Sequence, residues 1–191
     1  EKAMSYQEYR DLVSNLVAEG KSTGPKQSEA LSSYSMLNDR RMKRLDKTIK
    51  LSEEIIAKVQ AIKEPQTWLV LTEGWCGDAA QNIPVINKIA NENEHINLKL
   101  VLRDENLELM DKFLTNGGRS IPKLIALDAD NNVLSSWGPR PSIATKMVTD
   151  YKTAHGALDP QFKQDLQVWY NKDKGQGVQD DFITFLTSVP S

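Results

Sequence analysis

The sequence predicts an α/β protein whose core is a mixed, mostly four-stranded sheet flanked by helices. Three observations support this fold class. Short apolar runs alternate with amphipathic helical patterns in the middle of the chain. A polar turn, Asp130-Asn131-Asn132, joins the last two runs as a tight hairpin. The flanking sequence is helical in pattern, so we expect helical extensions over residues 1–64 and 158–191 around a core at 65–157.

The N-terminal extension is predicted to be a series of amphipathic helices. Ser5 and Glu8 form a capping-box pattern that begins the first helix. A short helix is expected around residues 28–36. Asn38 is then expected to cap a long helix that runs to about Ile62, because apolar residues recur there at spacings of three, four or seven.

The core elements follow in the order β-α-β-α-β-β-α. We expect strands at 67–72, 97–102, 122–128 and 133–137, and helices at 79–92, 106–114 and from Ser142 onward. A helix between the first two strands implies parallel pairing, and the hairpin implies antiparallel pairing. The C-terminal extension is expected to contain a helix from Asp159 and Pro160, a charged loop at 172–177, and a last helix carrying Phe182, Phe185, Leu186 and Val189.

Composition excludes several classes of function. The chain has 191 residues, 24 basic and 26 acidic, and a formal net charge of −2, so nothing calls for a nucleic-acid or membrane partner. A single cysteine excludes an internal disulfide or a cysteine-rich metal cage, and it suits a reducing compartment, so we expect a cytoplasmic protein. His95 and His155 lack ligand spacing, and no metal site is expected.

Two motifs carry a resemblance to a known family. Trp75-Cys76-Gly77 stands just after the first core strand and opens a helix, and Ser120-Ile121-Pro122 stands just before the third strand. Both placements, together with the element order, resemble those of the thioredoxin fold over roughly residues 66–157. With Asp78 following Gly77, the chain is most similar to bacterial thioredoxin-like proteins that have a Trp-Cys-Gly-Asp motif and a helical N-terminal extension.

The sequence departs from the thioredoxin pattern at two positions. Thioredoxins carry a second cysteine three residues after the first, and here that residue is Ala79. They also carry a buried carboxylate six residues before the first cysteine, and here that residue is Val70. The chain therefore cannot run an internal dithiol–disulfide cycle. Because both parts of the resolving half-reaction are missing together, Val70 favours a natural Ala79 over an engineered replacement.

The resemblance implies which residues form the site. Cys76 is expected to be the reactive thiol at a helix N-terminus, which stabilises a thiolate, whereas the nearby charge of Asp78 opposes ionisation. The Ile121–Pro122 bond is expected to be cis and to face Cys76. The expected substrate-binding residues are Trp75, Gly77, Asp78, Ile121 and Pro122.

Two functions remain open at this point. The first is a monothiol redox protein in which Cys76 forms mixed disulfides with protein or low-molecular-weight thiols, resolved by an external thiol. The second is a non-catalytic thioredoxin-fold module that holds an extended peptide between Trp75 and Pro122. The pKa and exposure of the Cys76 thiol distinguish them. The motif departs from that of monothiol glutaredoxins that share an iron–sulfur cluster, so no cofactor is expected.

Other charged features of the sequence are expected to be structural. A basic run on the second helical segment could bind an anion, but its interspersed acids favour a solvated helix face; it comprises Arg40, Arg41, Lys43, Arg44, Lys47 and Lys50. The segment 20–24 resembles part of a phosphate loop, but it lies between helices and lacks the leading glycine, which argues against nucleotide binding. Glu73 and Asp78 are expected to be solvated at the surface.

Overall fold

The computed structural model describes residues 2–188, which form eight α-helices, one 3₁₀ turn and four strands. In chain order the elements are α1 (Tyr6–Ala18), α2 (Glu29–Thr48), α3 (Glu53–Gln60), β1 (Gln66–Thr72), α4 (Gly77–Ala90), β2 (Ile96–Leu102), the 3₁₀ turn Arg103–Glu105, α5 (Leu107–Met110), β3 (Lys123–Leu127), β4 (Val133–Trp137), α6 (Ser142–His155), α7 (Pro160–Asp173) and α8 (Gln176–Ser188).

The four strands form one mixed sheet in the order β2-β1-β3-β4. β1 and β2 are parallel, with Val70 beside Leu100, while β1–β3 and β3–β4 are antiparallel. The sheet and the pairing directions predicted from the sequence are therefore confirmed. The antiparallel pairing places Leu71 at the end of β1 beside Lys123 at the start of β3, so the turn after β1 lies close to the segment that precedes β3.

Apolar side chains are buried on both faces of the sheet. On one face Trp68 and Val70 of β1 belong to a large cluster completed by helices α1, α2, α3, α4 and α8. The Trp68 ring makes edge contacts with Phe182 and Phe185 of α8, with ring centroids 5.7 and 5.9 Å apart. On the other face Leu71 of β1 packs with a smaller group around α5. The prediction of a sheet flanked by helices is confirmed.

The helical boundaries near Asn38 differ from the prediction. α2 begins after Ser28, whose hydroxyl accepts the N–H of Leu31, and it continues without a break through Asn38. It ends at Thr48, and a separate helix, α3, begins after Ser52. Asn38 is therefore not a cap. Its side chain is buried and donates from Nδ2 to the carbonyl of Gly74, so a tertiary contact explains the polar residue.

Three further boundaries differ. The helix expected at 106–114 is only the single turn of α5. Ser142 begins α6 but does not cap it through its side chain; its N–H instead donates to Asp181 on α8 at 2.9 Å. The charged loop expected at 172–177 is only the two-residue turn between α7 and α8. Val189, expected on the last helix, lies outside the described residues.

Among residues 2–188, no helix combines the length and the hydrophobicity that crossing a lipid bilayer requires.

Candidate functional site

Cys76 lies where β1 turns into α4. It is the N-cap residue of α4, with extended backbone angles (φ −84°, ψ 118°), and its Sγ accepts the N–H of Ala79 at 3.4 Å. The N-terminal backbone of α4 therefore faces the sulfur, as the sequence predicts for a strand-to-helix turn. The side chain is half-buried.

The segment before β3 lies against Cys76. The Ile121–Pro122 peptide bond is cis. The Cys76 Sγ lies 3.5 Å from the carbonyl oxygen of Ile121, a distance at which the thiol donates its proton to that oxygen. Ile121 and Pro122 are themselves buried. The structure thus brings together the two motifs that are 45 residues apart in the sequence.

The surroundings of Cys76 keep its proton in place. Burial, followed by the negative charge of Asp78, raises the pKa of the Cys76 thiol to about 12. The N–H groups of Ala79 and Asp78 and the charge of Arg140 act in the opposite direction but are the smaller effects. At neutral pH Cys76 is therefore a thiol that donates a hydrogen bond, and it is not a thiolate.

Asp78 is enclosed by residues from distant parts of the chain. Its carboxylate accepts the hydroxyl of Tyr170 at 2.6 Å and pairs with Arg140 at 3.1 Å, and only 14% of its side chain is exposed. Burial raises the pKa of Asp78, although Arg140 and Tyr170 counter the shift. The expectation of a solvated surface residue was wrong for Asp78, because the local sequence contains neither of its partners.

Glu73 is also buried. It has no exposed surface, and its carboxylate accepts the hydroxyl of Thr23 at 2.6 Å and the N–H of Asp104 at 3.1 Å. Burial raises the pKa of Glu73. The surface expectation was wrong here too. Through these two bonds the carboxylate holds the loop after α1 and the 3₁₀ turn after β2 against residues 73–77. This segment, which links β1 to the start of α4, is called the Cys76 turn below.

The two glycines of the turn are covered by the extensions. The Gly74 carbonyl accepts from Asn38 on α2, and the Gly74 N–H donates to Thr23 at 2.9 Å. A Cβ on Gly77 would lie 2.9 Å from Nε2 of Gln167 on α7, so a side chain at this position would displace the end of the Gln167 side chain. Gly77, expected to contact substrate, is thus packed against the protein's own helix.

Trp75 lies in the Cys76 turn on the side of the sheet formed by α5. Its side chain is half-buried, and the guanidinium of Arg103 lies over the ring, 5.0 Å from its centroid. Of the five residues expected to bind substrate, Ile121 contacts the Cys76 sulfur through its carbonyl oxygen. Trp75 and Pro122 are the chain neighbours of Cys76 and Ile121. Asp78 and Gly77 face the interior contacts described above.

The two departures from the thioredoxin pattern fit their surroundings. Val70 has no exposed surface and Ala79 is 1% exposed, and both belong to the main apolar cluster. A carboxylate or a thiol at these positions would stand among apolar side chains of that cluster. Packing therefore explains both residues without a proton shuttle or a second thiol.

Sequence reasoning missed most of the polar residues around the turn. Thr23, Asn38, Arg140 and Tyr170 carry no local motif, and Tyr170 lies 92 positions from the aspartate that it contacts. A buried position for Tyr170 was detectable from the apolar spacing of α7. Its partner was not detectable, because the crossing of α7 over α4 is set by tertiary packing.

The remaining charged features follow the sequence expectations in most respects. Five of the six residues in the basic run at 40–50 are exposed; Arg41 is half-buried, and burial lowers its pKa. The interspersed Asp39 and Asp46 both pair with Arg10 of α1. Within residues 2–188 no three side chains of histidine, cysteine, aspartate or glutamate are grouped closely enough to hold a metal ion.

Comparison with known proteins identifies the family. A family model described as Thioredoxin matches residues 24–152. No curated protein matches the sequence. The crystal structure of an HIV epitope-scaffold is similar at a TM-score of 0.61 and 16% identity, covering 98% of this chain and 100% of that one. A protein of unknown function from Pseudomonas aeruginosa is similar at a TM-score of 0.61 and 19% identity, covering 96% of this chain and 98% of that one.

Because the sequence identities are only 16% and 19%, the similarity to these two structures shows a shared fold and nothing more. The family model, in contrast, covers more than half of the residues and includes both the Cys76 turn and the Ile121–Pro122 segment. This protein therefore belongs to the thioredoxin family.

Proposed function

We propose that this protein is a thioredoxin-family interaction module that binds an extended partner segment beside Cys76 without turning over disulfides. The observation that carries the proposal is the state of the cysteine: its thiol donates to the Ile121 carbonyl, and its pKa is about 12. A nucleophilic cysteine lies in electropositive surroundings that lower its pKa, whereas burial and the charge of Asp78 raise the pKa of Cys76 despite the N–H groups of Ala79 and Asp78.

The size of the pKa change distinguishes this function from rapid thiol exchange. At pH 7 a thiol with a pKa of about 12 is ionised in roughly one molecule in 100,000, against about three in 100 for an ordinary cysteine. The greater nucleophilicity of the more basic thiolate recovers only part of this loss. The net rate of attack is expected to be about fifty- to a hundredfold below that of an ordinary thiol.

The backbone beside Cys76 supports binding of an extended segment. Within residues 2–188 the N–H of Ile121 makes no hydrogen bond. This N–H therefore remains available to an acceptor from outside the chain. The backbone carbonyl of a partner segment supplies such an acceptor, and the half-buried Trp75 ring offers apolar contact next to it.

Monothiol exchange is the second candidate, favoured by the half-buried sulfur at the N-terminus of α4. In that reaction the Cys76 thiolate attacks a disulfide, forms a mixed disulfide and releases the other sulfur as a thiolate, and an external thiol then resolves the product.

For either function the partners are proteins or small thiol compounds, and a single cysteine suits a reducing compartment such as the cytoplasm. The Trp-Cys-Gly-Asp motif points to the bacterial subgroup.

A binding experiment tests the proposal. A phage-displayed library of linear peptides is panned against the protein in the presence of dithiothreitol, and the selected peptides are synthesised for affinity measurement. We expect binding to survive Cys76→Ser and to weaken at least about tenfold in Trp75→Ala. Val133→Ala, which alters an exposed apolar residue on β4, is the matched control and should bind normally.

Two results would contradict the interaction module. One is peptide binding that disappears in dithiothreitol or in Cys76→Ser, which would mean that the contact is a mixed disulfide. The other is reduction of insulin with dithiothreitol at a rate well above the Cys76→Ser background. Either result would favour monothiol exchange.

A further inference from the structure

A second groove lies between the C-terminal half of α2 and the junction of α7 with α8. Its volume is about 810 Å³, within the range of small-molecule sites. Its inner wall includes Leu45, Ile49 and Tyr170, each no more than 6% exposed, and the other seven lining residues are polar or charged. A ligand in this groove would therefore meet a small apolar wall inside a polar and charged rim.

The rim of the groove carries an excess of positive charge. Arg44, Lys50 and Lys174 line it, and within the described part of the chain none of them forms an ion pair. Arg44 makes only a neutral hydrogen bond, to Asn171 at 3.1 Å. Asp173, the acidic residue that lines the groove, accepts a hydrogen bond from the backbone N–H of Gly177 at 2.8 Å. Three cations and one acid therefore line the groove, an excess of two positive charges.

The backbone places one of these cations at a conformational cost. Lys174 is in the left-handed region (φ 55°, ψ 35°), which is unfavourable for a residue with a side chain. The following Gly175 packs so closely on Val85 and Ile49 that a Cβ would lie 2.9–3.0 Å from their side chains, and this contact fixes the turn. Glycine would fit better than lysine at position 174, but it would not supply a charge at the rim.

We infer that this groove binds a small organic phosphate, with the phosphate against Arg44, Lys50 and Lys174 and the apolar body on Ile49 and Tyr170. A guanidinium offers two parallel donors to phosphate oxygens, and the two ammonium groups supply the remaining charge. Three cations around a groove of this volume suit a small molecule, since a nucleic acid would need a longer basic surface. The inference extends the sequence-level alternative that the basic run at 40–50 binds an anion, but only for Arg44 and Lys50.

Calorimetric titration with phenyl phosphate and, separately, with inorganic phosphate tests the site on the full chain. We expect saturable binding of phenyl phosphate and weaker binding of inorganic phosphate, which lacks the apolar body. Lys174→Gly should weaken phenyl phosphate binding at least about tenfold while raising the melting temperature, because it removes both the charge and the strained side chain.

The matched control is Lys172→Gly, which makes the same change in charge two residues earlier, inside α7 and outside the groove. It should leave the affinity within about twofold and lower the melting temperature, since glycine weakens a helix. Arg44→Gln and Arg40→Gln form a second pair with the same expected contrast in affinity. Absence of saturable phenyl phosphate binding, equal losses in both members of each pair, or equal affinity for inorganic and phenyl phosphate would overturn the inference.

Discussion

The carboxylate of Asp78 is the charged group that most strongly opposes ionisation of Cys76. It remains close to the turn because Arg140 and Tyr170 hold it there. Thioredoxin-family turns place a thiol at a helix N-terminus, where the backbone favours a thiolate, and in this protein a side chain in the first turn of the same helix counters that effect. Next to burial, which is the larger cause, residues outside the Trp-Cys-Gly motif therefore contribute to the raised pKa of the Cys76 thiol.

Replacing Asp78 by asparagine should accelerate alkylation of Cys76. The side-chain carbonyl of the asparagine can still accept from Tyr170, while the positive charge of Arg140 remains, so the pKa of the Cys76 thiol should fall. We expect the rate of iodoacetamide modification at pH 7, followed by mass spectrometry, to rise roughly threefold to tenfold. Asp150→Asn, which removes an exposed charge on α6, is the control and should react at the original rate. An unchanged rate in Asp78→Asn would mean that burial alone sets the pKa.

Gly138 should tolerate no side chain. Its φ is +124°, and a Cβ there would lie 2.2 Å from the carbonyl oxygen of Pro122. Gly138→Ala should therefore lower the free energy of unfolding by about 3 kcal/mol or more, measured by urea denaturation. Gly156→Ala is the control, because φ is +81° but nothing lies within 4 Å, and it should cost about 1–2 kcal/mol. Equal losses would show that the β3–β4 edge yields to the added methyl group.

At the scale of elements, α7 connects the C-terminal extension to the Cys76 turn. Tyr170 is buried, its hydroxyl donates to Asp78 at 2.6 Å, and that hydroxyl also accepts from Asn82 of α4 at 3.1 Å. Gln167, one turn earlier, lies over Gly77. The extension therefore forms part of the site and does more than complete the core.

Tyr170→Phe should measure the strength of this connection. The ring keeps its packing, but Asp78 and Asn82 each lose a buried partner, so we expect about 1.5–3 kcal/mol less stability in urea denaturation. Tyr151→Phe is a close chemical control, since its hydroxyl also donates at 2.6 Å to an aspartate, Asp159, but at an exposed position. The loss there should be clearly smaller. Comparable losses in the two variants would contradict a structural role for the α7 contact.

The elements also show what the sequence could and could not predict. All four strands were placed to within one residue at each end, because short apolar runs bounded by turn residues identify strands well. The break expected at Asn38 was wrong because this polar residue continues α2 while its side chain bonds to the distant Gly74, and no local pattern records such a contact. The loop expected before α8 was too long, because Asp173 accepts the N–H of Gly177 and the two helices close around a two-residue turn.

For the site, the sequence located Cys76 and the Ile121–Pro122 segment, which are motif positions. It did not locate Glu73 in the interior or the two partners of Asp78. Those positions depend on how the extensions cross the core, and single-sequence periodicity gives the faces of helices but not their crossing geometry.

At the scale of the whole molecule, the carboxyl groups fall into two classes with opposite effects on stability. Burial raises the pKa of Glu73, Asp78 and Asp173 above the ordinary range. Hydrogen bonds lower the pKa of exposed groups such as Glu8. A raised pKa means that the folded state holds its proton more tightly than the unfolded state, so that group adds stability as the pH falls; a lowered pKa has the reverse effect.

A comparison of Glu73→Gln with Glu8→Gln should reveal both signs. As the pH falls from 7, through the raised pKa of Glu73, towards the ordinary glutamate value of 4.5, the wild type should gain stability relative to Glu73→Gln. Below pH 4.5 it should lose stability relative to Glu8→Gln, as Glu8 is protonated and releases the N–H and hydroxyl of Ser5. Urea denaturation across this pH range is the measurement. A Glu73→Gln difference independent of pH would mean that the carboxyl is already neutral at pH 7.

The cover that α7 places over the Cys76 turn matters for the protein's synthesis. A ribosome delivers the chain from its N-terminal end, and early segments fold as they emerge. All four strands and Arg140 precede residue 160, whereas Gln167 and Tyr170 follow it. A nascent chain therefore exposes Gly77 and leaves Asp78 held by Arg140 alone. In the interval between emergence of the sheet and docking of α7, the turn that carries Cys76 therefore lacks two of the contacts that hold it in the folded protein.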